Sequence, residues 1–558
     1  MKQGTVHEIR IYFQKALREF GNNKGKLFLS ALFTLIIQAS ALLETHVLAG
    51  VTDALYQRDE RSFFLFLVVT AVVGLATILI SIFSAKLDVQ IQLDVVMKLK
   101  ERALRVLCSR KEKIERYSEG EQYSIIQEDS EAVVAYVFKI ISYAFSIAVL
   151  IYIGATLVWI SPMWAGSFAV IQIVVGLIQK KGVKPVKNCA LECLKSENEF
   201  QRYLNEELGE MHAIRYENMK ENVVAFARRN MEMIKAKRLI QNKKVVCIST
   251  ASKSCMYAGK MLLFLGMGRE VMAGKVTMQE YIVFYSYMSM FSGHFMSVIQ
   301  MLTSLQPMLL NVKRLLGILE LEEESECSRM DLEELSFLHM KKCFGEKVLF
   351  ADVTMDLNME NSYAVLGMNG SGKTTFTKML LGEESVSDGL FMIDGTEVSK
   401  MQRESLLGIR YFAANPCVLS GMTLRENIML GMCEKPIEET FLQEICEDFL
   451  FLRDVKEMKA GMETILGNEV RLSSGQKKKV ELIRAALSDA EVIILDEPLA
   501  NLDEEFKGRF SELFKKYYRN RKVIVVEHDA KRVSYVDRIL HISDGQIFEN
   551  NIENFIVV

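Results

Sequence analysis

A chain of 558 residues that is half hydrophobic yet 25% charged, with mean hydropathy +0.13, must hold several domain-sized units with its apolar surface concentrated in one part. A formal net charge of −3 gives no overall attraction to nucleic acid, and 32 Gly with 6 Pro argues against a disordered or collagenous chain. Ten scattered cysteines without a CxxC spacing argue against a secreted disulfide framework and suit a reducing compartment.

At the N-terminus, Ile9, Phe13, Leu17 and Phe20 recur at three- and four-residue spacing among Arg10, Lys15, Arg18 and Glu19. This predicts an amphipathic helix within residues 1–24 lying in a membrane interface, although the same pattern also suits packing against protein. Four uncharged runs follow, Leu27 to Leu43, Phe63 to Ser84, Ile140 to Ile160 and Ser161 to Ile178, each about long enough to cross ~30 Å of hydrocarbon. The first lacks a small-residue cleavage pattern and reads as a retained span. Val245 to Gly268, interrupted by Lys253 and Lys260, and Tyr281 to Val312, which includes His294, complete six spans within residues 25–319.

The connectors alternate between short and long, the long ones being Ala85 to Lys139 and Gln179 to Lys244. Lys86, Lys98, Lys100, Arg102, Arg105, Arg110, Lys111, Lys113 and Arg116 in the first of them place both long connectors and both termini in the cytoplasm. Both read as helical extensions of the spans. Lys253 and Lys260, seven apart, project from almost one helix face. Two readings stand for them: a cavity for an anionic or carboxylate-bearing solute, with Glu44 and His294 as partners or liners, or ammonium groups snorkelling to water. Tyr285, Tyr287, Met288, Met290 and Phe291 suit either an adaptable cavity wall or an ordinary packed surface.

The acidic run Glu320, Glu322, Glu323, Glu324 and Glu326 marks a linker over residues 320–329, and a soluble domain occupies residues 330–558. Tyr363 to Leu366 reads as a short buried strand running into Gly367, Met368, Asn369, Gly370, Ser371, Gly372, Lys373, Thr374 and Thr375, then a helix. This is a GxxxxGK loop followed by Thr in its strand–loop–helix setting. Its glycines let backbone N–H groups approach phosphates, Lys373 can neutralise the β and γ phosphates, and Thr374 can ligate Mg²⁺. Val492 to Leu495 is a second buried strand ending in Asp496, suited to Mg²⁺, and Glu497, suited to activating water. Leu472, Ser473, Ser474, Gly475 and Gln476 open a further helix, and His528 follows the strand Val523 to Val526.

This ordered set, with Asn501 to Asp503, resembles the ABC transporter family along essentially the whole chain, specifically an exporter-type half transporter. The resemblance implies a six-helix membrane domain followed by an α/β P-loop ATPase domain with a mostly parallel sheet and a helical insertion near Glu434 to Lys459. It implies ATP and Mg²⁺ as cofactors, and a second half transporter, identical or related, as partner. Two ATP molecules would lie between two ATPase domains, each held by one subunit's phosphate loop and by Ser473, Ser474 and Gly475 of the other, so that a lone chain should not turn over. Glu497 would be the general base, His528 would sense or polarise the γ-phosphate, Asp503 would couple the two sites, and Phe344 would stack on adenine. Gly120 with Asp129, and Glu206 to Gly209, look like segments of the membrane half that dock on the ATPase domains.

The chain departs from the family at Ala414, where a glutamine is usual, at Ser474, where glycine is commonest, and over Gly467 to Arg471, about one residue short. These departures put coupling in doubt and suggest slow or partner-dependent hydrolysis. The expected activity is ATP-driven export of a hydrophobic or amphipathic solute (peptide, drug-like compound or lipid) across a bacterial plasma membrane, with no nucleic acid involved. An interfacial helix starting almost at Met1 leaves no room for a leader-cutting peptidase. Uptake of an iron chelate, or a regulatory half that binds ATP without productive transport, are the alternatives.

Overall fold

The computed structural model describes residues 3–108, 117, 119–209, 211–321, 332–398, 406, 408–430, 438–467 and 470–552, which divide into an N-terminal unit, Met1–Leu107 with Glu119–Glu322, and a C-terminal one. Arg110, Lys111, Lys113, Arg116, Glu322, Glu323, Glu324, Glu326, Met330 and Glu434 lie outside the described residues, as do the side chains of Glu206, Glu207 and Leu208.

The N-terminal unit is all helical among the described residues: α1 Gln3–Glu19, α2 Lys24–Gln57, α3 Glu60–Leu107, α4 Ser130–Ile160, α5 Pro162–Gly209, α6 Lys220–Met272 and α7 Met278–Leu319. Local chemistry sets the breaks. Arg58 ends α2 in the left-handed conformation (φ 59°), donating its N–H back to the helix. A single extended residue, Ser161, separates α4 from α5, and Pro162 takes the first helical position, where it lacks no needed N–H. Thr277 and Glu280 form a reciprocal capping box that starts α7.

Five helices among the described residues are long and apolar enough to cross a membrane: those containing Gly21–Gln57, Glu60–Leu107, Gly120–Ile160, Pro162–Gly182 and Met278–Ile299. The expected fifth span lies in α6, which does not meet that measure; Lys253 and Lys260 interrupt its apolar run. Helices pack in the pairs α2 with α3, α5 with α6, and α4 with α7. Small residues permit close approach: a Cβ at Gly259 would stand 2.6 Å from Ile171, and one at Gly266 would enter the Trp164 ring. Polar side chains pair across helices, Gln172 donating to Ser292 (3.0 Å) and Gln179 to Ser252 (2.9 Å). Asp129, fully buried, receives Arg314 of α7 through Nε (2.6 Å) and an Nη (2.9 Å).

Helix α1 forms as expected but turns part of its apolar stripe into protein. Ala16 and Phe20 are buried, the Phe20 ring lies 6.4 Å from Phe138, and the Tyr136 hydroxyl donates to the Ile9 carbonyl (3.1 Å). Lys15 pairs with Glu320 and Lys313 with Glu8. The amphipathic pattern is satisfied here by α4 and α7, because an apolar stripe specifies burial and not what buries it.

The C-terminal unit holds two sheets. The antiparallel one has the order β2 (Lys347–Asn358), β1 (Glu334–Phe344), β4 (Asp388–Ile393), β5 (Thr396–Glu397). The larger has the order β10 (Gln546–Asn551), β9 (Arg538–Ser543), β3 (Tyr363–Gly367), β8 (Lys522–Val526), β7 (Val492–Asp496), β6 (Ile409–Phe412), parallel except for the β9/β10 pair. The continuous apolar runs of β3, β7 and β8 suit strands covered on both faces. Ala364, Leu366, Ile493, Leu495, Val523 and Val525 face one core, and the residues between them face the other, with Phe376 and Met379 of α8 (Lys373–Leu380). Four further helices are α9 (Leu424–Met429), α10 (Glu439–Asp448), α11 (Leu452–Lys456) and α12 (Ser474–Leu487), and α13 (Glu504–Tyr517) precedes β8. Helices α10 and α11 realise the expected insertion.

Candidate nucleotide site

The phosphate loop, Asp496, Glu497 and His528 follow the carboxyl ends of the parallel strands β3, β7 and β8, where loops leave the sheet. After β3, the chain turns through Gly370 (φ 80°) and Gly372 (φ 114°), conformations open to glycine without strain. At Gly367 a Cβ would stand 2.7 Å from the Ile542 carbonyl, so this position must also lack a side chain. Lys373, 7% exposed, curls back to donate to the carbonyls of Gly367 (2.7 Å) and Met368 (3.2 Å). Burial lowers its pKa against the opposing charges of Glu497 and Asp496. The Ser371 hydroxyl is buried without a partner among the described residues, and Thr374 is exposed at the helix start. A cradle of glycines, an unsatisfied hydroxyl and an ammonium held among the described residues by loop carbonyls fit an incoming polyphosphate.

Asp496 ends β7, and Glu497 follows with φ 45°, its N–H donating to the Val526 carbonyl (2.9 Å). This turn carries Glu497 to His528 at the end of β8, Nε2 to Oε1 2.6 Å, with both side chains partly open to solvent. Asp496 is held by two groups that the sequence pattern does not single out. The Tyr411 hydroxyl, from β6, donates to Asp496 Oδ2 (2.6 Å), and Lys478 Nζ reaches the Asp496 carbonyl (2.9 Å) and the Ala413 carbonyl (3.0 Å). Lys478 is also paired with buried Glu481 (2.8 Å). The signal for Tyr411 was its place on the strand beside β7, which only the sheet order reveals.

Ser473, Ser474, Gly475 and Gln476 form the N-terminus of α12, with Leu472 buried in the core beneath. Ser473 Oγ accepts from the Gln476 N–H (3.2 Å), and Gln476 Oε1 accepts from the Ser473 N–H (2.9 Å). The Ser473 hydroxyl thus caps its own helix, while Ser474 stays exposed. Gly475 lies against the Asn501 carbonyl, 2.8 Å from an added Cβ. Asp503 caps α13 by accepting from the Phe506 N–H (2.8 Å). Phe344, at the end of β1, is half-exposed, and Lys342 Nζ lies 4.9 Å from its ring centroid. Asn468 and Glu469, in the shortened stretch before the signature, lie outside the described residues.

Residues 350–500 match the family model described as ABC transporter. The whole chain matches the structure of a bacterial Atm1-family ABC exporter with ATP bound, TM-score 0.81 at 14% identity, covering 96% of each chain. Residues 350–500 form a domain of the ABC transporter family. The fold is that of this exporter, one helical unit joined to one unit that holds the two sheets and the matched domain. The chain is 25% identical to the lactococcin-A transport/processing ATP-binding protein of Lactococcus lactis subsp. lactis, over 60% of this chain and 46% of that one. It is 24% identical to an ATP-dependent lipid A-core flippase of Desulfotalea psychrophila, over 59% of this chain and 60% of the relative. The matched segment thus spans about half the length of these curated relatives.

Beside the site, Glu527 is 2% exposed, and its Oε1 has no partner among the described residues. Burial pushes its carboxyl above the ordinary 4.5, against the pull of the His528 N–H and Arg532. A raised carboxyl pKa contributes stability below about pH 4.5 that is lost as pH rises through the folded value. Glu527→Gln is therefore expected to raise the unfolding temperature of the ATPase unit at pH 8, with the gain shrinking to nothing near pH 4.5. Thermal melts across that range check it, and a gain that grows toward low pH would contradict it.

Proposed function

We propose that the chain is one half of a dimeric, multi-pass membrane transporter that hydrolyses ATP to export a hydrophobic or amphipathic solute. The observation that carries this reading is the 2.6 Å Glu497–His528 contact at the sheet edge that also bears the phosphate loop and Asp496. In it, the backbone of Gly367, Asn369, Gly370, Ser371, Gly372 and Thr375 wraps the phosphates, and Lys373 leaves its loop carbonyls to neutralise them. Thr374 and Asp496 would hold Mg²⁺, Phe344 would take adenine on its exposed ring, and Leu472 to Gln476 of the second subunit would close the site. Bound Mg·ATP supplies the anhydride bond and its charge neutralisation. His528 donates to Oε1 of Glu497 and orients the carboxylate, whose other oxygen accepts a proton from the attacking water. Asp503 acts through the α13 N-terminus, which it caps. A bacterial plasma membrane, with the ATPase unit and termini in the cytoplasm, is the setting.

Tyr411 stands on the strand leading to Ala414, where the family's glutamine is missing, and steadies Asp496. Tyr411→Phe removes one hydrogen bond to a carboxylate, so ATP affinity in Mg²⁺ should fall about three- to tenfold. Metal-free ATP binding should not change, and equal losses with and without Mg²⁺ would remove Tyr411 from metal positioning.

The test of the function is ATPase activity of the full-length chain alone in lipid nanodiscs, with oligomeric state measured in the same sample. Dimers that turn over support a self-sufficient homodimer. A folded dimer that binds ATP without turnover would overturn it in favour of a related partner subunit.

A further inference from the structure

Lys260 Nζ donates to Ser289 Oγ of α7 at 3.0 Å, and neither Lys260 nor Lys253 has a carboxylate within ion-pair distance among the described residues. At 1.5 Å per residue, Lys260 lies about 18 Å from the α6 terminus at Met272, and Ser289 about 17 Å from the α7 start at Met278. The hydrogen bond therefore keeps the ammonium near the middle of a ~30 Å hydrocarbon layer, when snorkelling would carry it away toward an interface. An ammonium has three donors and Ser289 takes one, which leaves a midplane cation in need of acceptors.

One turn beyond, Phe264 of α6 packs against Tyr281 (5.3 Å between ring centroids) and Tyr285 (5.6 Å) of α7. Phe264 and Tyr285 remain 48% and 44% exposed, so an aromatic wall adjoins the cation. Lys253 lies two turns toward the cytoplasmic end on nearly the same face, about 29 Å from Met272.

We propose that Lys260 and Ser289, with Lys253 on the approach and Phe264, Tyr281 and Tyr285 above, form the binding site for an amphiphile with a single anionic head and an apolar body. The assignment rests on the transport reading and names its substrate class. Lys260 and Ser289 receive the anionic head, and the rings cover the apolar body. Lys253 supplies a second positive charge along one track, which draws anions from the cytoplasmic side. The same chemistry serves a free amphipathic acid or an anionic membrane lipid.

The test is equilibrium binding of dansylundecanoic acid and its methyl ester to the full-length chain in phosphatidylcholine nanodiscs without nucleotide, with empty nanodiscs as background. Saturable binding of the acid, about tenfold tighter than the ester, is expected; Lys260→Met should remove that preference and Lys260→Arg retain it. Phosphatidylglycerol in the nanodisc should displace the acid if the natural ligand is a lipid, and leave it bound if it is a free solute. Equal binding of acid and ester by wild type, or an unchanged preference in Lys260→Met, overturns the site. Should Lys260→Met fail to fold, the wild-type preference and its reduction in Lys253→Met decide. Because binding is read without ATP, a chain that prefers the acid but never hydrolyses ATP overturns the transport reading alone, and one that hydrolyses ATP but binds both probes alike overturns the site alone.

Discussion

Glu497→Gln is expected to lower ATP turnover by about two to four orders of magnitude while ATP stays bound. The amide oxygen of Gln can still accept from His528 Nε2, which in the native protein lies 2.6 Å from Glu497 Oε1, so the orientation of the side chain survives. The left-handed backbone at this position (φ 45°) is no harder for Gln than for Glu, so the fold should be unaffected. What is lost is the ability to take a proton from water. Lys373 and the phosphate loop are untouched, and nucleotide binding should persist. The check pairs a phosphate-release assay with the stoichiometry of retained labelled ATP on the same sample. Turnover close to wild type would remove Glu497 as the base. Loss of binding together with turnover would mean that the carboxylate holds the site together instead of working in it.

The second large effect concerns the membrane unit. Asp129 is fully buried, and both of its oxygens receive the Arg314 guanidinium, which also donates to Ser124 at 3.1 Å. Arg314→Met leaves a carboxylate in a site that excludes water, and removal of one partner from such a pair costs about 3–5 kcal/mol. The full-length variant should show a matching loss in denaturant or thermal unfolding. Asp129→Asn should cost less, because Arg314 is 30% exposed and can turn to water while the amide oxygen still accepts. The double variant Asp129→Leu with Arg314→Met should recover part of the loss, since no charge is then left buried. A single Arg314→Met variant as stable as wild type would mean that water reaches Asp129. The pair ties α7 to the π-helical turn Ile125–Asp129 ahead of α4, which gives Asp129 a structural role that its place in a family-like docking segment does not disclose.

Much of the molecule is legible one segment at a time because its causes are local. Gly370, Gly372 and Lys373 announce a phosphate loop, since the backbone there needs glycine whatever surrounds it. The runs Tyr363 to Leu366, Val492 to Leu495 and Val523 to Val526 read as strands buried on both sides because every position is apolar. Spans are visible as uncharged lengths, and helix starts as Thr277 with Glu280 or Ser473 with Gln476, pairs three residues apart.

Other features wait on distant parts of the chain. That Tyr411 meets Asp496 follows from β6 lying beside β7, and that Glu497 meets His528 follows from β7 lying beside β8 and from the turn at Glu497. The pattern around Phe20 suited a membrane interface or protein, and that this ring packs near Phe138 follows only from the fold, because a stripe of apolar residues states a need for cover without naming it. For Lys253 and Lys260, spacing alone left both a cavity and snorkelling open, and the bond to Ser289 favours the cavity by fixing where the charge of Lys260 sits. By itself the sequence determined elements and the chemistry each can offer, since backbone preference and burial pattern act over a few residues. Tertiary structure decided which of those groups meet, because register, strand order and helix pairing are set by packing between segments that no local pattern encodes.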